Sequence, residues 1–418
     1  MLSRTAAVIL TGFLYVNAVA QEDYVPAGPL FELELAKSWQ LQLALGADQC
    51  LVDAFLVDDQ LYFPTNDGYV FAVEAATGAN RWLRQITTEA YRIRRPAQAG
   101  ERVIFATPST VTQVNKITGE GLAQMTPRFP CGTGVVSDGS RMFLGGLDHR
   151  LYAFDVTDPV QSWRVLTNGP ISSTPAIYGR DVLFASDDGT IYSAAAYNKV
   201  LHWVARTYGP IDSDLAVNDF GVYVPCVDQS LYLFDLRFGE LQWRVRFTAP
   251  LREPPVLAGG TAYQYSLNDG LVAIDAVGIG VDERIKWKLP TGRMLLTTDN
   301  TRAYVLSLQD SILVADLNTG EVTHTIPTPG LNLGVPGPGV STIYMASPDG
   351  RVFCARPRGA PLVRSEKVRE ALRAPAPAPA AEATAAAPAT PPPGAPVGTP
   401  VPEPPMGGRS KVSKGYKP

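Results

Sequence analysis

The segment Leu61-Tyr-Phe-Pro-Thr-Asn-Asp-Gly-Tyr-Val-Phe-Ala-Val73, followed by Glu74-Ala-Ala-Thr-Gly78 and then Trp82, decides how the rest of the chain is read. An apolar run meets the polar turn Asn66-Asp67-Gly68, and apolar alternation resumes from Tyr69 to Val73, which predicts a β-hairpin. A second reversal at Thr77-Gly78 uses glycine, which takes positive φ without steric cost, and Trp82 falls in the strand that follows. The unit recurs. Met142-Phe-Leu-Gly-Gly-Leu-Asp-His-Arg-Leu-Tyr-Ala-Phe154 is a second copy, and others begin at Ile104, Leu183, Tyr223, Tyr263, Tyr304 and Tyr344.

Tryptophan marks the period. Trp39, Trp82, Trp163, Trp203, Trp243 and Trp287 recur at roughly forty residues or twice that, the length of one propeller blade. Met125 fills the gap between Trp82 and Trp163, and His324 falls one repeat after Trp287, giving eight marker positions. With one further strand opening each repeat, every copy supplies the four strands of a blade. The expected fold is all-β: an eight-bladed propeller over residues 21–360, with the six indoles docking one blade against the next. The last repeat, around Tyr344 to Cys354, has no tryptophan after it, and Trp39 has no complete repeat before it. The N-terminal strand is therefore expected to complete the last blade and leave no open edge at the seam.

The flanks read differently. Met1 to Arg4 is a short basic start, Thr5 to Val16 is apolar, and Ala18-Val19-Ala20 is a small-residue cleavage site, so residues 1–20 are expected to be a signal peptide. The apolar run is too short for a good membrane span, and no later segment is long and apolar enough for one. The chain is expected to be exported to the periplasm or beyond, without a lipid anchor, because no cysteine stands at the cleavage site. Residues 361–373 form a short linker with at most one or two helical turns. Residues 374–418 form a disordered tail: the stretch from Ala374 to Pro405 holds 12 prolines and 11 alanines, too few large apolar groups for a core. It ends in the basic run Arg409 to Lys417.

A net charge of -4 and a pI near 5.6 give no global electrostatic basis for binding nucleic acid or an anionic membrane. Cys50, Cys131, Cys226 and Cys354 are widely spaced, without the pairings of a zinc, haem or iron–sulfur site. They allow three disulfide pairings between which sequence does not choose, although Cys226 and Cys354 sit in apolar strand-like runs that suit buried thiols. His149, His202 and His324 lie in different repeats at non-equivalent places, which suits packed or surface histidines better than metal ligands. Asp-rich turns such as Asn66-Asp67-Gly68 lack the alternating oxygen series of a calcium loop.

The pattern Ala/Phe-Asp-x-x-Thr-Gly-x-x-x-Trp appears in pieces from Val73 to Trp82, Phe154 to Trp163, Phe234 to Trp243 and Ala315 to His324. It resembles the pyrroloquinoline-quinone-type propeller repeat over residues 31–356. Departures occur at Asp158-Pro159 and Asn198-Lys199, which stand in place of Thr-Gly. The resemblance implies either of two groups, quinoprotein dehydrogenases or non-catalytic propellers such as scaffolds of outer-membrane β-barrel assembly. A dehydrogenase of this kind implies calcium, a carboxylate base and, in many members, adjacent cysteines. This chain has no adjacent cysteines and no long insertions to build such a site, so neither cofactor nor catalytic residue is expected.

The expected site is the funnel mouth, where connectors pass from the outer strand of one blade to the inner strand of the next. Arg92, Arg94, Arg95, Asp212, Arg252, Glu253 and Arg293 are its candidate partner-binding residues. The arginines suit an acidic protein partner through charge-assisted hydrogen bonds. Pairing with local carboxylates is the competing reading. The expected function is a monomeric, protein-binding scaffold of the cell envelope, with outer-membrane protein assembly as the setting the resemblance implies, against alternatives of a quinone-dependent oxidoreductase or a carbohydrate- or cell-wall-binding propeller. The last would need exposed aromatic side chains at the funnel mouth.

Overall fold

The computed structural model describes residues 23–89, 91–158, 160–278, 284–337 and 339–360. The expected signal peptide, linker and tail lie outside them. Among the described residues, the short apolar runs form eight antiparallel sheets of four strands. Blades 1 to 7 occupy residues 55–85, 97–125, 131–166, 176–206, 216–246, 256–289 and 292–327, each with its strands in chain order. First strands of successive blades adjoin one another and so line the axis.

Blade 8 joins the two ends of the chain. Its strands Leu333–Val335, Ile343–Ala346 and Arg351–Pro357 are completed by Leu35–Gln42, with Trp39 opposite Cys354. The Trp39 and Tyr344 rings lie 6.1 Å apart. Both donate to the Ala75 carbonyl of blade 1, the indole at 3.1 Å and the phenol at 3.0 Å, which closes the ring.

The core is divided into layers between blades, and the indoles do more than fill them. One such layer joins Phe143, Ala153 and Trp163 of blade 3 to Val182, Phe184 and Tyr192 of blade 4. Each indole N–H also donates to a backbone carbonyl in the turn before the outer strand of the next blade. Trp82 reaches Lys116, Trp163 reaches Ala196, Trp203 reaches Leu236, Trp243 reaches Ala276 and Trp287 reaches Leu317, all at 2.9–3.2 Å. A buried indole thus meets its one polar requirement in the neighbouring blade.

The turn glycine makes room for this contact. A Cβ on Gly239 would stand 2.4 Å from the Trp203 ring, and the residue has φ +70°. Gly78, Gly119 and Gly320 meet Trp39, Trp82 and Trp287 in the same way. Lys199 takes the equivalent left-handed conformation, φ +64°, at a departure from the repeat.

Strand register corrects one marker. Trp82 stands opposite Ala72 beside a register shift, and the equivalent residue of blade 2 is Ala123, opposite Gln113. Met125 lies two residues further along and packs against the cluster that includes Phe154 and Val156 of blade 3, partly filling a junction that lacks an indole. His324 does hold the equivalent position in blade 7, opposite Val314, but it is exposed. Leu30 and Leu33 fill that junction, carried by the short helix Ala27–Glu32 and the residue after it. Six residues are too few to show helical periodicity, so the sequence reading contains no helix there. No helix among the described residues is long and apolar enough to cross a membrane.

All four cysteines are free. Burial pushes the Cys226 thiol up to about 11 and raises those of Cys131 and Cys354, so these sulfurs stay protonated at neutral pH.

Candidate functional site: the connector face

Antiparallel pairing puts the connectors and the hairpin turns between second and third strands at the same end of every blade. The two loop sets hold each other. The Asn66 side chain accepts from the Cys50 N–H at 3.0 Å, Gln49 donates to Asp67 at 2.6 Å, and the Ser172 hydroxyl donates to Asp187 at 2.6 Å. The acidic turn residues thus have a structural use, which fits the hairpin reading over a calcium loop. His149 is a turn residue with φ +66°, His202 faces Asp181 at 3.7 Å, and no cluster of metal-ligand type occurs among the described residues.

Asp269 shows the strength of this bracing. Lys288 donates to it at 2.8 Å, the Thr248 hydroxyl at 2.7 Å and Ser266 at 3.0 Å. Burial would raise its carboxyl, but these hydrogen bonds outweigh that and hold it far below the usual carboxylate range. A depressed folded pKa stabilises above the unfolded pKa near about 4, and the contribution fades as pH falls further. Asp269→Asn is expected to cost about 1–3 kcal/mol at pH 7, where Lys288, Thr248 and the buried Ser266 lose a charged acceptor. Urea melts at pH 7 and pH 3 should show the gap to wild type narrowing at pH 3; an unchanged gap would refute the assignment.

Opposite charges one repeat apart link successive connectors. Arg92 pairs with Asp53 at 2.7 Å, Arg252 pairs with Asp212, and Arg293 grips Glu253 through two bonds of 2.5 and 2.7 Å. Arg293 also lies 4.2 Å over the Tyr265 ring. It belongs to the inner strand Gly292–Thr298, not to a connector. Arg94 reaches Asp214 at 3.8 Å, from the entry of blade 2 to that of blade 5, so this pair spans the funnel. Arg95 donates to the Leu56 carbonyl at 2.7 Å.

The candidates therefore form two arcs of the rim, Arg92 to Arg95 before blade 2 and Asp212 to Arg293 around blades 5 to 7. Their partners Asp53 and Asp214 escaped the sequence reading, although the forty-residue offset of Arg252 from Asp212 and Arg293 from Glu253 was a usable signal. Also missed were exposed apolar groups on the second arc: Tyr208, 81% exposed, Leu267, 76%, and Leu308, 55%. Tyr91 and Tyr208 precede blades 2 and 5 and form no aromatic cluster.

Eight four-stranded blades, indole docking and linked connectors define a quinone-type propeller whose rim is braced by ion pairs. The family described as outer membrane protein assembly factor BamB matches residues 107–218 and 227–377, and the chain belongs to that family. No curated protein matches the sequence. Among solved structures, BamB from Moraxella catarrhalis is similar at 15% identity and a TM-score of 0.61, covering 78% of this chain and 99% of that one. The computationally designed Ika8 protein is similar at 12% identity and a TM-score of 0.61, covering 75% of this chain and 98% of its own. An equal likeness to a natural protein and to a designed one carries the fold and nothing further.

Proposed function

We propose that this chain is a non-catalytic scaffold of the bacterial cell envelope, exported to the periplasm, that binds a protein partner during outer-membrane protein assembly. Membership of the assembly-factor family supports the setting. The observation that carries the reading is the second arc of the rim. There Asp212, Arg252, Glu253 and Arg293 are fixed in blade-to-blade pairs, and Tyr208, Leu267 and Leu308 stand exposed on loops of the same face. Charged side chains already held in place lose little conformational freedom on docking, and exposed apolar side chains on the same face supply area for a protein to bury.

A photo-crosslinking residue placed at position 208 or 267 in intact cells tests it. Adducts with outer-membrane assembly components are expected from these positions and not from Arg180, on the opposite face. Absence of rim adducts would count against the reading. So would tight binding of pyrroloquinoline quinone with calcium, accompanied by dye reduction with an alcohol or sugar.

A further inference from the structure

We propose that the axial funnel holds an oxyanion, a phosphate or a carboxylate, on the guanidinium of Arg95. This does not depend on the scaffold reading. Arg95 enters the funnel beside the inner strand of blade 1, to whose Leu56 carbonyl it donates one hydrogen bond at 2.7 Å. A guanidinium carries five donors in a planar fork suited to two oxygens of one anion. Among the described residues the rest of that fork meets no hydrogen-bond acceptor, and solvent reaches the side chain.

The carboxylates Asp53, Glu253 and Asp214 each face another arginine of the rim. Asp53 takes Arg92 on one oxygen and the Ala54 N–H on the other. Glu253 is held by both terminal nitrogens of Arg293. Asp214 accepts the Thr174 N–H at 2.7 Å and faces Arg94 at 3.8 Å. Among the described residues no carboxylate lies within ion-pairing distance of Arg95. Desolvation by the funnel walls lowers the proton affinity of the guanidinium, and the charge of Asp214 offsets this only in part. The funnel thus carries a solvent-accessible guanidinium with no carboxylate at pairing distance among the described residues, which attracts an anion.

Purified full-length protein is titrated with inorganic phosphate and, separately, with acetate, against sodium chloride at matched ionic strength, by calorimetry and thermal shift. Saturable binding of either anion beyond the chloride control is expected, and the stronger of the two identifies the ligand type. Arg95→Gln should weaken it at least tenfold. Asp214→Asn, which removes the competing negative charge, should tighten it at least twofold, and Arg180→Gln should leave it unchanged. No saturable binding by wild type, or wild-type affinity in Arg95→Gln, overturns the proposal. If Arg95→Gln does not fold, an Asp214→Asn protein with unchanged or weaker affinity overturns it instead.

Discussion

Trp203→Ala is expected to lower the unfolding free energy by about 3–5 kcal/mol, the range for removing a large buried aromatic. The ring lies between blades 4 and 5, within the layer that holds Leu183, Val222, Val224 and Phe234, and its N–H is bonded to Leu236 at 2.9 Å. Neighbouring sheets held by their own ladders cannot close over the void, so much of the cavity persists. Trp203→Phe separates the two contributions, since it keeps most of the apolar area and loses the hydrogen bond, for about 1 kcal/mol. Urea denaturation of the three proteins measures both. A loss below about 1 kcal/mol in Trp203→Ala would show that the indole is not a blade-docking residue.

Removing residues 23–43 is expected to have the larger effect. It strips blade 8 of its outer strand, and with it the buried Leu35, whose burial contributes about 1.5–3 kcal/mol, and the half-buried Trp39. It also takes away the Leu30 and Leu33 packing against blade 7. The sum rivals the whole stability of a typical domain, about 5–15 kcal/mol. The truncated protein should lose its cooperative transition, or survive as dimers formed through the bared edge at Arg351–Pro357. Light scattering on the eluted protein and a urea melt decide between these. A monomer of native stability would refute the closure of the ring by Leu35–Gln42.

Much of this architecture can be read from the chain because one repeat encodes both the turn and its neighbour. The glycine of a turn and the tryptophan of the preceding blade are two halves of one contact; at blade 2 both halves are missing together, whereas Lys199 stands in for the glycine beside Trp163. Blade 2 has Ala123 at the marker position, and the next turn, at Asp158, has no glycine to receive an indole. Counting four residues on from the turn glycine, as from Gly78 to Trp82, leads from Gly119 to Ala123 and would have placed the marker correctly. Hydrophobicity favoured Met125 instead, because that side chain does pack at the same junction.

The rim was less legible. Its arginines stand out as charges, but their partners lie forty residues away, and Asp214 lies three blades away from Arg94. Only the ring brings these groups together, so local pattern reveals the cations without showing which ones are neutralised. Exposure of Leu267 and Leu308 was hidden for a related reason: each continues an apolar run and is separated from it only by where the hairpin turns.

The pairing of Leu35–Gln42 with Arg351–Pro357 sets an order of events for a chain delivered N-terminus first. The earliest strand to arrive has its partner among the last, so it waits without hydrogen bonds while seven blades assemble. Contacts of such long sequence separation form late and slowly. During that wait the strand is a sticky ribbon, and a holding chaperone or rapid delivery of the remaining chain would protect it from pairing with the wrong molecule.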